Sequence, residues 1–153
     1  MTPSSADARP FPQRAFLITL AINAIWINLS EVFRYFAFVM GMMREALPTV
    51  EGVAPMSWPV FLRWGLWDMI LVGVVTMTAW LWLERFGYTV KQALFAATGI
   101  WLGVFVIFWF GLINMNLATP AIAAVALPLA WLELAVAALI VNWALPRFAP
   151  APP

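Results

Sequence analysis

The chain has 153 residues, 65% of them hydrophobic and only 10% charged, with a mean hydropathy of +0.92, and this usage excludes an ordinary soluble domain. Without cysteine or histidine it cannot form disulfides, use a thiolate, or hold haem or zinc through His/Cys, so any chemistry falls to carboxylates, arginines and amides. A net charge of +1 with no basic cluster excludes nucleic acid as a partner. The composition predicts an all-α integral membrane protein of one domain, with membrane lipid as its first partner.

Crossing the hydrocarbon core takes about 20 helical residues, and the sequence offers four apolar runs of that length or more. The first spans about 15–43. Its apolar character continues past Ser30 and no small-residue cleavage site ends it, so it reads as a retained helix rather than a signal peptide. Within it, NLSEVFRY carries Glu31 and Arg34 through an otherwise apolar run. At about 100° per residue, Asn23, Asn28, Glu31, Arg34 and Tyr35 fall on one side, a polar spine that should face other helices or water rather than lipid.

Residues 44–58, REALPTVEGVAPMSW, form the longest connection and the candidate lid. The second helix, about 59–83, starts after Ser57 and Trp58. It bears Arg63, Asp68, Trp64 and Trp67, where rings sit beside charges and suggest an aromatic pocket. The third, about 90–113, opens on Thr89-Val-Lys-Gln92, the pattern of a reciprocal capping box. Gly99, Gly103 and Gly111 give it a small-residue stripe that predicts close helix packing, within the chain or in a dimer. The fourth, about 120–145, follows the cap Thr119-Pro120 and carries Pro128, Trp131 and Glu133. Pro128 should kink it one turn before Glu133 and free the Ala124 carbonyl. Short connections then require an up-down four-helix bundle.

The tails 1–14 and 146–153, rich in Pro and small residues, have too little apolar pattern to pack and are expected to be flexible. Arg9, Arg14, Arg85, Lys91 and Arg147 gather on one side and only Arg44 lies in a loop on the other, so both termini are expected in the cytoplasm, with the chain in the cytoplasmic (inner) membrane.

Depth brings the charges together. Arg34 lies nine residues before Met43 and Asp68 nine after Pro59, which suggests a pair, while Glu31 and Glu133 reach nearly the same level. Arg63 is shallower and can reach the headgroups or join the layer. Three carboxylates against one or two arginines leave an excess negative charge that burial resists, so the layer should take up a proton, water, a cation or a partner's positive group. Three function classes follow. Glu31, Asp68 and Glu133, with Arg34 and Arg63, bind or transport a proton, cation or small ligand, in a homo-oligomer because four helices enclose little aqueous path. Alternatively the chain is an accessory subunit of a larger energy-converting or photosynthetic complex, completed by partner membrane subunits. A carboxylate-dependent enzyme ranks third, with no catalytic residue assigned, since no nucleophile–base pairing or metal motif appears. Trp64, Trp67 and Trp131 could line a pocket for a lipid tail, quinone or carotenoid.

Overall fold

The computed structural model describes residues 11–55 and 57–149. Four helices account for most of them: α1 Gln13–Ala46, α2 Trp58–Phe86, α3 Val90–Asn114 and α4 Pro120–Phe148. All are long and apolar enough to cross a membrane, and no strand occurs among the described residues. The helix ends run further than their apolar runs suggest. Gln13 and Arg14 already belong to α1, and Pro146, Arg147 and Phe148 to α4, so the expected tails are shorter than predicted; their parts at 1–10 and 150–153 lie outside the described residues.

The helices form a ring in chain order, α1 beside α2, α2 beside α3, α3 beside α4 and α4 beside α1, with α4 also reaching α2 across the diagonal. This is an up-down bundle in which both described chain ends lie with the 87–89 turn. Phe11 stacks edge-on against Trp80 with ring centroids 5.0 Å apart, and Ala149 packs on the core cluster that contains Leu83 and Leu145.

Small side chains explain the diagonal contact. The buried face of α4 includes Ala130, Ala137, Ala138 and Ala144, and α3 adds Ala93, Ala96 and Ala97, so backbones approach without a bulky layer between them. The glycine stripe on α3 does not do this within the chain. A Cβ placed at Gly99, Gly103 or Gly111 meets no heavy atom within 4 Å. The close packing expected of GxxxG inside the bundle is supplied instead by alanines, which tolerate contact without the entropy cost of glycine.

Local chemistry sets the helix starts. Thr119 Oγ1 accepts from the Ile122 N–H at 3.4 Å, and Thr89 Oγ1 accepts from the Gln92 N–H at 3.2 Å. The reciprocal half of the capping box is absent, because the Gln92 amide oxygen accepts from Trp82 Nε1 at 3.0 Å and ties α3 to α2. Ser57 precedes α2 as expected but caps it through its carbonyl, which accepts from the Phe61 N–H. Gly87, at φ +99° and ψ 152°, turns the chain between α2 and α3 in a conformation open essentially to glycine alone. Pro128 leaves α4 continuous.

Two segments depart from α-helical winding, Tyr35–Val39 in α1 and Trp101–Val106 in α3, which are wound as π-helix. They lie about midway along the bundle. Wider turns of this kind are rare and recur at functional sites.

Candidate functional site

The bundle closes at one end and opens at the other. At the end bearing Phe11 and Ala149, α2 buries Leu71, Val72, Val75, Ala79 and Leu83 against its neighbours. Towards the long connection, a second core cluster of Val39, Trp109, Ala118, Ile122, Ala123 and Ala126 joins α1, α3 and α4 alone. The first ten residues of α2 contribute nothing to it, and Trp58, Phe61, Leu62, Leu66 and Trp67 are all more than half exposed. Between this splayed half of α2 and the other helices lies a cavity of about 760 Å³. That volume suits a drug-sized molecule.

Charged groups form one part of its wall. Glu31 and Arg34 both line it and form an ion pair one turn apart on α1, with side chains 8% and 10% exposed. The Arg34 guanidinium also lies over the Phe105 ring, 5.5 Å from its centroid. Arg34 therefore pairs with Glu31 on its own helix, not with Asp68 across the bundle. The i, i+3 spacing makes this contact available as soon as the helix forms, before any tertiary approach. Asp68 is 5% exposed, lines the same cavity, and has no cationic partner within 4 Å among the described residues.

Aromatic rings build the rest. Trp64 and Trp67 come from α2, and Phe105, Phe108 and Trp109 from α3. The two π-helical segments supply Tyr35 and Val39 on one side and Gly103, Val104 and Phe105 on the other. Nothing in the apolar pattern announced these turns; Phe108 and Trp109 come from the regular helix that follows the second of them. A smaller slot of about 80 Å³ lies between α1 and α2, bordered by Asn28, Phe36, Gly65 and the loop residues Pro55 and Ser57. Tyr35, Trp64 and Asp68 line both spaces, so the Asp68 carboxyl is reached from either side of the α1–α2 contact. Tyr35 and Trp64 pack as a tilted pair at 5.0 Å. The connection containing Pro55 and Ser57 is held down by Arg44, whose Nη2 donates to the Ala54 carbonyl at 2.9 Å.

The remaining predicted residues have other surroundings. Glu133 is 1% exposed, and neither carboxyl oxygen has a hydrogen-bond partner. It lies within electrostatic reach of Glu31, Arg34 and Asp68, with the Ser30 hydroxyl approaching it, but outside the lining of the cavity. Its backbone carbonyl accepts from Trp26 Nε1 at 3.0 Å. Arg63 is exposed and borders neither space. Trp131 is drawn away from the pocket by a hydrogen bond from its Nε1 to Thr98 Oγ1 at 3.1 Å, which joins α4 to α3. Asn23 donates to Thr76 Oγ1 at 3.0 Å and joins α1 to α2. Asn28 donates to the Ala24 carbonyl of its own helix. Trp101 Nε1 donates to the Leu127 carbonyl at 2.8 Å, beside Pro128. Indole and amide donors thus stitch the closed part of the bundle and leave Asp68 to the cavity. No group of three or more acidic side chains suited to a metal ion occurs among the described residues.

No protein-family profile, no curated protein and no solved structure matches this chain.

Proposed function

We propose that this is a multi-pass protein of the cytoplasmic membrane that binds a small ligand within its helix bundle and carries it across part of the bilayer. The carrying observation is the cavity of about 760 Å³, walled by aromatic rings and by the Glu31–Arg34 pair with Asp68, on a bundle closed at its opposite end. Intramembrane ionisable groups are expensive and are retained where a pathway or ligand uses them. Both chain ends lie in the cytoplasm in this reading, set by Arg14, Arg85, Lys91 and Arg147 at that end of the bundle. The cavity then faces outward. Glu133, behind the site, is the group placed to hold a proton while the ligand moves, and a second copy of the chain completes the path.

The test is native mass spectrometry of the protein released gently from its own membrane, alongside Gly103→Phe. A Cβ at Gly103 meets no heavy atom within 4 Å and the residue lines the cavity, so phenylalanine adds bulk to the wall and should hinder an occupant. A small adduct on the wild-type protein that is absent from the variant supports binding. Emergence only with unrelated larger subunits, and no adduct sensitive to Gly103→Phe, would replace this reading with that of an accessory subunit.

A further inference from the structure

The cavity wall constrains the chemistry of its occupant. Arg34 is matched by Glu31 and covered by the Phe105 ring, so this pair presents no net charge. The second terminal nitrogen of Arg34 is buried and has no hydrogen-bond partner. Asp68 is different. It is more than nine-tenths buried, has no cationic partner among the described residues, and lines the open space. One unmatched carboxylate in a low-dielectric wall favours one positive charge, because attraction there is several-fold stronger than in water.

Size and lining do not suit a dedicated metal-ion cage. Hard cations take six or more oxygen ligands, and no cluster of three acidic side chains exists among the described residues to begin such a shell. The volume is far larger than an ion needs, and the rings of Trp64, Trp67 and Phe108 in its lining suit a cation with a broad apolar body. Resting on the binding reading above, we propose that the occupant is a monovalent organic cation, its charge held by Asp68 and its apolar groups against the tryptophan and phenylalanine rings.

The experiment uses the full chain in lipid nanodiscs with two probes of one shape and opposite charge, tetraphenylphosphonium and tetraphenylborate. Binding is read by saturable tryptophan quenching and by equilibrium dialysis, with partition into empty nanodiscs subtracted. The phosphonium is expected to saturate and the borate to bind at least about 10-fold more weakly, a difference of about 1.4 kcal/mol. Asp68→Asn should weaken phosphonium binding by about 10-fold or more, whereas Asp68→Glu restores part of it. The comparison of the two probes on the unaltered protein needs no variant to fold. Equal binding of both probes, or phosphonium binding indifferent to Asp68→Asn yet abolished by Gly103→Phe, overturns the cation assignment and leaves the binding cavity standing. Saturable binding of neither probe, together with no native adduct sensitive to Gly103→Phe, overturns both.

Discussion

Replacing Arg34 with methionine keeps most of the side-chain volume and removes the only cation within 4 Å of Glu31 among the described residues. Both side chains are about nine-tenths buried, so the Glu31 carboxylate is left unmatched among apolar groups rather than returned to water. Breaking a buried pair in this way costs about 3–5 kcal/mol, and the neighbouring cavity, which admits water, argues for the lower end, about 3 kcal/mol. For a chain of this size about 2–4 °C of melting temperature accompanies each kcal/mol, so Arg34→Met should melt about 6–12 °C below the unaltered protein in mild detergent. Adding Glu31→Gln removes the orphaned charge and should recover more than half of that loss. A double-mutant cycle between positions 31 and 34 then gives a coupling of about 2 kcal/mol, against less than about 1 kcal/mol for the cycle between 34 and 68, which form no ion pair within 4 Å. An Arg34→Met protein that melts within about 2 °C of the parent, or a 34–68 coupling larger than the 31–34 coupling, would refute the pairing.

Three further outcomes follow from the same geometry. Glu133→Leu exchanges a buried carboxyl with two unpartnered oxygens for an apolar group of similar size; thermal unfolding in detergent should show about 1–3 kcal/mol of added stability, and destabilisation would mean that a partner for the carboxyl exists. Gly87→Ala meets no steric neighbour, yet its φ of +99° is denied to alanine, so a loss of about 1–3 kcal/mol is expected by the same assay. An alanine variant as stable as the parent would show that the turn relaxes. At the 87–89 turn, outside the helices, burial followed by the hydrogen bond it donates to Glu84 at 2.7 Å raises the Tyr88 phenol above its ordinary value of 10.0. A raised folded-state value means that this contribution is complete below the ordinary value and is lost as pH climbs through the folded one. Stability of the parent should therefore fall more steeply above about pH 10 than that of Tyr88→Phe. Parallel alkaline melting curves would argue against it.

Hydropathy made the helices legible because length and composition alone decide whether a run can span a bilayer. The four apolar runs match α1 to α4 to within about three residues at each end. What failed concerned partners rather than elements. Depth matching suggested Arg34 with Asp68, but matching measures height along the bundle and says nothing about which local contact forms first; Glu31, one turn away, takes the guanidinium. The Gln92 amide was assigned to its own helix end, yet an indole from the preceding helix outcompeted the backbone. Trp131 looked like a pocket residue by its ring, while its donor nitrogen was claimed by Thr98, a polar group that a hydropathy scan passes over. The π-helical turns had no signature in residue type.

The opening of the bundle does have a cause in the sequence, though it appears only when two helices are compared. From Trp58 to Trp67, α2 places Trp58, Phe61, Trp64 and Trp67 within ten residues, whereas from Leu71 to Leu83 its buried face is built from Leu, Val, Thr and Ala. The facing helix α4 is alanine-lined along its buried side. The stretch of α2 lined by valine and alanine meets α4 across the diagonal of the ring, whereas its aromatic stretch, three tryptophans and a phenylalanine at a spacing of three, takes no part in the cluster that α1, α3 and α4 close without it. Asp68 stands at the change of spacing, the first buried residue of α2 counted from that end. A carboxylate there is shielded by the close-packed part below it and faces open volume above. Shifted by two turns towards Leu83, it would enter the alanine-packed core; shifted by two turns towards Trp58, it would enter the exposed aromatic stretch of the helix. At this position on α2 a charge is both buried and next to open volume, the combination that the proposed cation site requires.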